Sequence, residues 1–264
     1  MKQFVMLSGL PRSGSQVLSS MLNQHPQVLG TATSPVADLV VQTVDSWPNL
    51  SAALVNPYPQ QLANIVGGII QGAYRHVEQP IVVDKNRWWP RFGSILYDAL
   101  GEPPRIIKTV RPIEEILASF VLLIERNSGR TTYIDQDLID LGLPINTKNR
   151  CRILWEKYIQ HPYTSLRLGW NNPAINSFVV SYDQIVNQSQ WVMDQFCQWL
   201  GIESIMVDLG NLQEMPENDH SHGGLVGLHD VRNQMRRTSP PPEEVLGRYL
   251  CDYYRQMNLE FWRK

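Results

Sequence analysis

A three-layer α/β fold, with a central parallel sheet flanked by helices, is predicted by three observations. Short apolar runs of strand type alternate with amphipathic helical segments, the order that parallel strands joined by crossover helices require. The 264 residues are 43% apolar, enough to bury the core of a single domain over residues 1–264. The first strand passes directly into a glycine-containing turn and a helix at Gly9 to Gln16, an arrangement that gathers backbone amides and a helix N-terminus around an anion.

Phe4 to Ser8 reads as a buried strand, followed by a helix from Ser13 to about Gln24 with Val17, Leu18, Met21 and Leu22 on one face. Pro26 ends that helix. Ser34-Pro35 predicts an N-cap with proline in the first turn, opening a helix through Val44. Trp47 to Pro59 reads as a loop and Gln60 to His76 as an apolar helix. Ile81 to Asp84 is the second strand, Trp89 to Leu100 a helix, and Arg105 to Val110 the third strand. Pro112 starts a helix bearing Ile116, Leu117, Phe120 and Leu123. The polar stretch Asn127 to Thr147, with scattered glycines, predicts a flexible segment or lid. A helix rich in Arg, Lys and Trp follows over Lys148 to Gly169, then a strand over Ser177 to Tyr182 and a helix over Trp191 to Leu200, stopped by Gly201. Asn211 to Gly227 lacks periodicity and reads as a loop, and Pro240-Pro241-Pro242 precedes a last helix through Met257.

Charge and cysteine content narrow the partners. With 23 basic and 25 acidic residues and no basic run, a nucleic-acid or anionic-membrane surface is not expected, so a polyanion must meet a local site. Cys151, Cys197 and Cys251 are far apart, which argues against a disulfide framework or a cysteine metal site and points to the reducing cytoplasm. The apolar run near the N-terminus is too short for a signal peptide or membrane span.

The turn at Gly9 differs from the nucleotide triphosphatase loop. Gly9 and Gly14 have that loop's spacing, but Ser15-Gln16 stand where Lys-Ser/Thr would hold the β- and γ-phosphates and magnesium. The cation lies inside the loop instead, at Arg12, which suits a smaller anion bound without metal.

Pro11-Arg12-Ser13-Gly14-Ser15 resembles the 5′-phosphosulfate loop of the sulfotransferase family, whose members use 3′-phosphoadenosine 5′-phosphosulfate (PAPS). It is closest in style to the tyrosylprotein sulfotransferase branch, in which Pro-Arg-Ser-Gly-Thr precedes an apolar helix and a His-Pro, matched here by His25-Pro26. Four further stretches agree in order: Val83-Asp84-Lys85, Val110-Arg111 with Ser119, Ser181-Tyr182-Asp183-Gln184-Ile185, and Gln234-Met235-Arg236-Arg237. Together they extend over about residues 4 to 257 and imply a P-loop-type fold.

The resemblance implies that Arg12 and the loop amides of Ser13, Gly14, Ser15 and Gln16 hold the 5′-phosphate. Lys85 would steady the migrating sulfuryl group and the oxygen it leaves, so Lys85 and Arg12 are the expected catalytic residues. Arg111 and Ser119 would hold the 3′-phosphate, with the arginine reaching along the helix toward the serine. Tyr182, Arg236 and Arg237 complete the expected cofactor site, and no metal is expected. The partner is an acceptor hydroxyl on a carbohydrate, small molecule or peptide, with Trp88, Trp89 and the Trp155 to Tyr163 helix as candidate walls of its pocket. The glutamate that the tyrosylprotein branch carries after its His-Pro is absent, since Gly30-Thr31-Ala32-Thr33 stands there. Asp38, His220 and His222 remain candidate bases. Two other readings stay open: a metal-dependent kinase using Asp84, and a non-catalytic nucleotide- or anion-binding module of the same fold.

Overall fold

The computed structural model describes residues 2–212, 225–230 and 240–258. Its sheet has five parallel strands, β1 (Gln3–Gly9), β2 (Val28–Gly30), β3 (Ile81–Lys85), β4 (Arg105–Val110) and β5 (Asn176–Ser181), in the order β2-β3-β1-β4-β5. From β1 the chain crosses to β2 and β3 on one side, then to β4 and β5 on the other. The strand order therefore reverses at β1, and a crevice opens beyond the C-terminal strand ends, where open α/β sheets bind ligands.

Strand alternation builds the two outer layers. Val5 and Leu7 of β1, Val83 of β3 and Ile107 of β4 pack against α1 (Ser15–Leu22) and α11 (Ser189–Leu200). Their alternates Met6, Val82 and Ile106 pack on the opposite face with residues of α2 (Val36–Ser46), α4 (Pro59–Ala73) and α5 (Gly93–Leu100). A third cluster joins α6 (Ile113–Arg126) to α7 (Tyr133–Asp140), α8 (Thr147–Ile153), α9 (Gln160–Leu168), α12 (Pro242–Leu246) and α13 (Arg248–Arg255).

Four local features differ from the sequence expectations. Val28–Gly30 forms a strand too short to show alternation. The expected loop after Trp47 contains a 3-10 turn and the short helix α3 (Ser51–Val55). The expected flexible segment contains α7, because the Thr132 hydroxyl accepts from the Asp135 amide at 3.2 Å as an N-cap and Ile134 and Leu138 are buried on one face. Finally, Tyr182 starts α10 (Tyr182–Asn187) instead of ending a strand. Ser181 and Gln184 make the reciprocal capping box there, with the Ser181 hydroxyl accepting from the Gln184 amide at 3.2 Å and the Gln184 carboxamide oxygen accepting from the Ser181 amide at 2.9 Å. Among the described residues no helix is long and apolar enough to cross a membrane.

Lys108 of β4 is fully buried, donating to the Gly169 carbonyl at 2.7 Å and to the Ser177 hydroxyl at 2.7 Å. Burial pushes its pKa down from 10.5 to about 8. Between those values the unfolded chain holds more protons than the folded one, so this lysine makes stability rise with pH. The stability difference between wild type and Lys108→Met, measured by denaturant titration, is therefore expected to shift in favour of wild type from pH 8 to pH 10. A pH-independent difference would contradict this.

Candidate active site

The loop between β1 and α1 is shaped by contacts that leave little freedom. A Cβ on Gly9 would lie 1.9 Å from the Thr109 hydroxyl oxygen and 2.7 Å from the Thr109 carbonyl oxygen, so only glycine lets β1 end this close to β4. Ser13 is fully buried, with its amide donating to the Leu10 carbonyl at 3.2 Å and its hydroxyl 2.6 Å from that same oxygen and 2.7 Å from the Thr109 hydroxyl. The amide and hydroxyl of Ser13 thus close the turn on Leu10 and Thr109. Arg12 has φ 61° and Gly14 φ 91°. A non-glycine residue in that region costs about 1–3 kcal/mol and is found where the surroundings hold a functional loop in place. Beyond the turn, the first amides of α1, from Ser15 onward, lack intrahelical partners by helix geometry and face the positive end of the helix dipole.

Two cations reach this loop from neighbouring elements, Lys85 and Arg111, and a third, Arg12, extends from the loop itself. Lys85, the last residue of β3, follows the alternation toward α1, and its ammonium donates to the Gln16 carboxamide oxygen. Arg111, just past β4, donates from Nη1 to the Arg12 carbonyl at 2.9 Å and from Nε to Glu115 at 3.2 Å, with its guanidinium 4.0 Å over the Tyr182 ring. That ring also lies close to Gly14, where an added Cβ would come 3.0 Å from Tyr182 Cδ2. Arg12 donates from Nε to the Ser119 hydroxyl at 3.2 Å and from Nη1 to the Leu228 carbonyl. Ser119 is thus joined to Arg12, while Arg111 pairs with Glu115 one turn along α6 and with the Arg12 carbonyl, so Arg12 lies between the two expected 3′-phosphate residues.

These groups line one cleft of about 680 Å³, together with Asp38, Asn86, Arg87, Trp88, Tyr133, Tyr158, His229 and Asp230. Gln16 Nε2 is buried with no partner among the described residues, an uncompensated donor costing about 1–3 kcal/mol in the same cleft as the cations. The guanidiniums of Arg12, Arg87 and Arg111, the Lys85 ammonium, helix-start amides and this unmatched amide donor fit a ligand carrying several anionic oxygens.

Asp84 is not part of the cleft. Alternation turns it toward the opposite layer from Lys85, where its two oxygens accept from the Tyr74 hydroxyl and, at 2.7 Å, from the Trp89 indole. Burial raises its pKa above the ordinary carboxylate value. A magnesium-binding role for Asp84 therefore has no support in the geometry, and neither does a place for Trp89 in an acceptor pocket. Trp155 also faces inward, 5.3 Å from the Tyr163 ring and 6.3 Å from the Tyr254 ring, which removes it and Tyr163 from the expected wall. Trp88 and Tyr158 do line the cleft. Asp38 stands there too, whereas Arg236, Arg237, His220 and His222 lie outside the described residues.

Other cleft residues were not singled out individually by the sequence, although Tyr158 falls within the expected Trp155 to Tyr163 wall. Tyr133 arrives from α7, and Tyr158 from a π-helical turn over Leu154–Ile159 that connects α8 to α9. Their rings meet edge to face at 4.9 Å. Burial pushes the Tyr133 hydroxyl up to about 12, opposed by the nearby Arg87 and Arg12 guanidiniums. Arg87 had the clearest signal, as a second cation two residues beyond Lys85 in the same strand-end turn. His229 and Asp230 come from the short stretch 225–230, held by Asn127, whose side chain donates to the Val226 carbonyl at 3.1 Å and accepts from the Val226 amide at 3.2 Å.

Comparison with known proteins places these observations. Protein-tyrosine sulfotransferase A of Caenorhabditis elegans is 23% identical over 202 residues, which are 75% of this chain and 50% of that protein, so the chain spans about half the length of this curated relative. Among solved structures, the sulfotransferase domain from the curacin biosynthetic pathway aligns with a TM-score of 0.47 at 17% identity, covering 98% of this chain and 92% of that one. The sulfotransferase domain from the Synechococcus PCC 7002 olefin synthase aligns with a TM-score of 0.45 at 18% identity, covering 98% of this chain and 89% of that one. The sequence description of the sulfotransferase family matches residues 5–206, well over half of the 264, and the chain belongs to that family.

Proposed function

We propose that this chain, acting as one domain, transfers the sulfuryl group of PAPS to an acceptor hydroxyl without a metal ion. The observation that carries the reading is the convergence of Arg12, Lys85 and Arg111 on one cleft from the loop after β1 and the ends of β3 and β4.

Strand order supports the assignment of roles. The α1 amides and Arg12, at the end of β1, hold the 5′-phosphate. Arg111 and Ser119, which lie on the β4 side, hold the 3′-phosphate, and the Tyr182 ring fixes the guanidinium plane by stacking. Lys85, on the β3 side, neutralises the sulfuryl oxygens and the bridging oxygen as the S–O bond opens. The Gln16 amide, already bonded to Lys85 through its oxygen, has its nitrogen as a further donor for that group. A cleft of about 680 Å³ has the size of a small-molecule site, and Trp88, Tyr133 and Tyr158 give it flat surfaces suited to a sugar or phenol acceptor. Three buried free thiols support a reducing compartment such as the cytosol.

Incubation with PAPS labelled in its sulfate, together with a panel of tyrosyl peptides, sugars and small phenols, tests the proposal. Label transfer that persists in EDTA is the expected outcome. No transfer to any acceptor, alongside magnesium-dependent consumption of ATP, would overturn it.

A further inference from the structure

We infer that Asp38 is the general base that takes the proton from the acceptor hydroxyl, a role that rests on the sulfuryl-transfer reading of the cleft. Proximity to the end of β3 makes the case. Asp38, on α2, lines the cleft and is bonded by Asn86, the residue after Lys85. In-line transfer requires the incoming oxygen on the far side of sulfur from the phosphate oxygen that leaves. With phosphate at the β1 loop and sulfur at Lys85, the base is needed by the end of β3, where Asn86 holds Asp38.

The other carboxylate and imidazole candidates lie on the β4 flank of the cleft or outside it. His229 and Asp230 follow Leu228, whose carbonyl receives Arg12 beside Ser119 of α6, on the β4 flank. Asp84 has both oxygens occupied in the core.

Asp38 is also aimed. Asn86, the residue after Lys85, donates from Nδ2 to Asp38 Oδ2 at 3.1 Å and to the Ser34 carbonyl at 2.8 Å, while its Oδ1 accepts from the Trp88 amide at 3.1 Å. The carboxamide is fixed by backbone on two sides, so one carboxylate oxygen is tied to the strand end that carries Lys85. Asp38 itself is exposed, at the start of α2. In the step, the acceptor oxygen forms its bond to sulfur as the S–O bond to phosphate breaks. The electron pair goes to the 5′-phosphate oxygen and the acceptor proton to Asp38.

Two phenols separate a base from a positioning group. Tyramine presents a protonated phenol, whereas 4-nitrophenol is already ionised at mildly alkaline pH and has no proton to lose. Asp38→Asn, which retains an oxygen for Asn86, is expected to lower turnover with tyramine by about a hundredfold or more. It should largely keep turnover with 4-nitrophenolate and the affinity for adenosine 3′,5′-bisphosphate (PAP). Undiminished turnover with tyramine, or equal loss with both phenols, would overturn the base assignment while intact PAP binding leaves the cleft reading standing. Failure of the wild type to bind PAP would overturn both.

Discussion

Replacing Lys85 by alanine is expected to cut turnover about a thousandfold while changing affinity for PAP far less. Removal of one donor aimed at charge that develops in a transition state typically costs about 10²–10³ in rate. Lys85 is placed for that task by β3, whose register pairs it with Leu7 of β1, and by its contact with the Gln16 carboxamide. Its charge is compact, so Lys85→Arg should restore only part of the rate, because a planar fork does not reproduce a point charge at a bridging oxygen. Single-turnover rates with labelled PAPS measure this directly. A change confined to KM would show instead that Lys85 only binds substrate.

The largest expected loss of stability is at Trp89. Its side chain is fully buried against the α2, α4 and α5 layer and holds one oxygen of Asp84. Trp89→Ala should destabilise the fold by about 3–5 kcal/mol through the cavity alone. Asp84 would also lose a donor in an enclosed site, a cost of about 1–3 kcal/mol that is not simply additive. Trp89→Phe keeps much of the volume but not the N–H, and should fall between wild type and alanine. Urea denaturation reads both, and a shift below about 1 kcal/mol for alanine would contradict the packing account.

The α/β class, the four longer strands and the glycine-containing turn between β1 and α1 were legible because each depends on local pattern: apolar runs, punctuating glycines and a helix directly after a strand. Lys85 and Arg111 were legible for the same reason, since strand ends on one edge of a parallel sheet converge. What was not legible depends on three-dimensional closure. Asp84 and Lys85 are adjacent polar residues in sequence, and only the facing of β3 sends one into the core and the other to the cleft. The partner of Ser119 depended on how far Arg12 extends, which no helical spacing conveys. The contacts of Ser13 with Leu10 and Thr109, which close the turn, are likewise not conveyed by its motif. Helix α7 was hidden by its polar composition, although Thr132 with Asp135, and Ile134 with Leu138, carried the cap and the buried face. Tyr133 and Tyr158 reach the cleft only through that helix and the π-helical turn.

The central claim, a PAPS-type nucleotide in this cleft read through its 3′-phosphate by Arg111, is tested most directly by calorimetric titration of PAP into wild type and Arg111→Ala, with adenosine 5′-monophosphate and magnesium–ATP as comparators. A charge-assisted arginine–phosphate contact is worth about 1.5–3 kcal/mol, roughly 10- to 150-fold in affinity. Wild type is expected to prefer PAP over both comparators, and Arg111→Ala to lose the preference over the monophosphate by that factor. Preference of the wild type for magnesium–ATP, or equal preference for PAP in both proteins, would contradict the account.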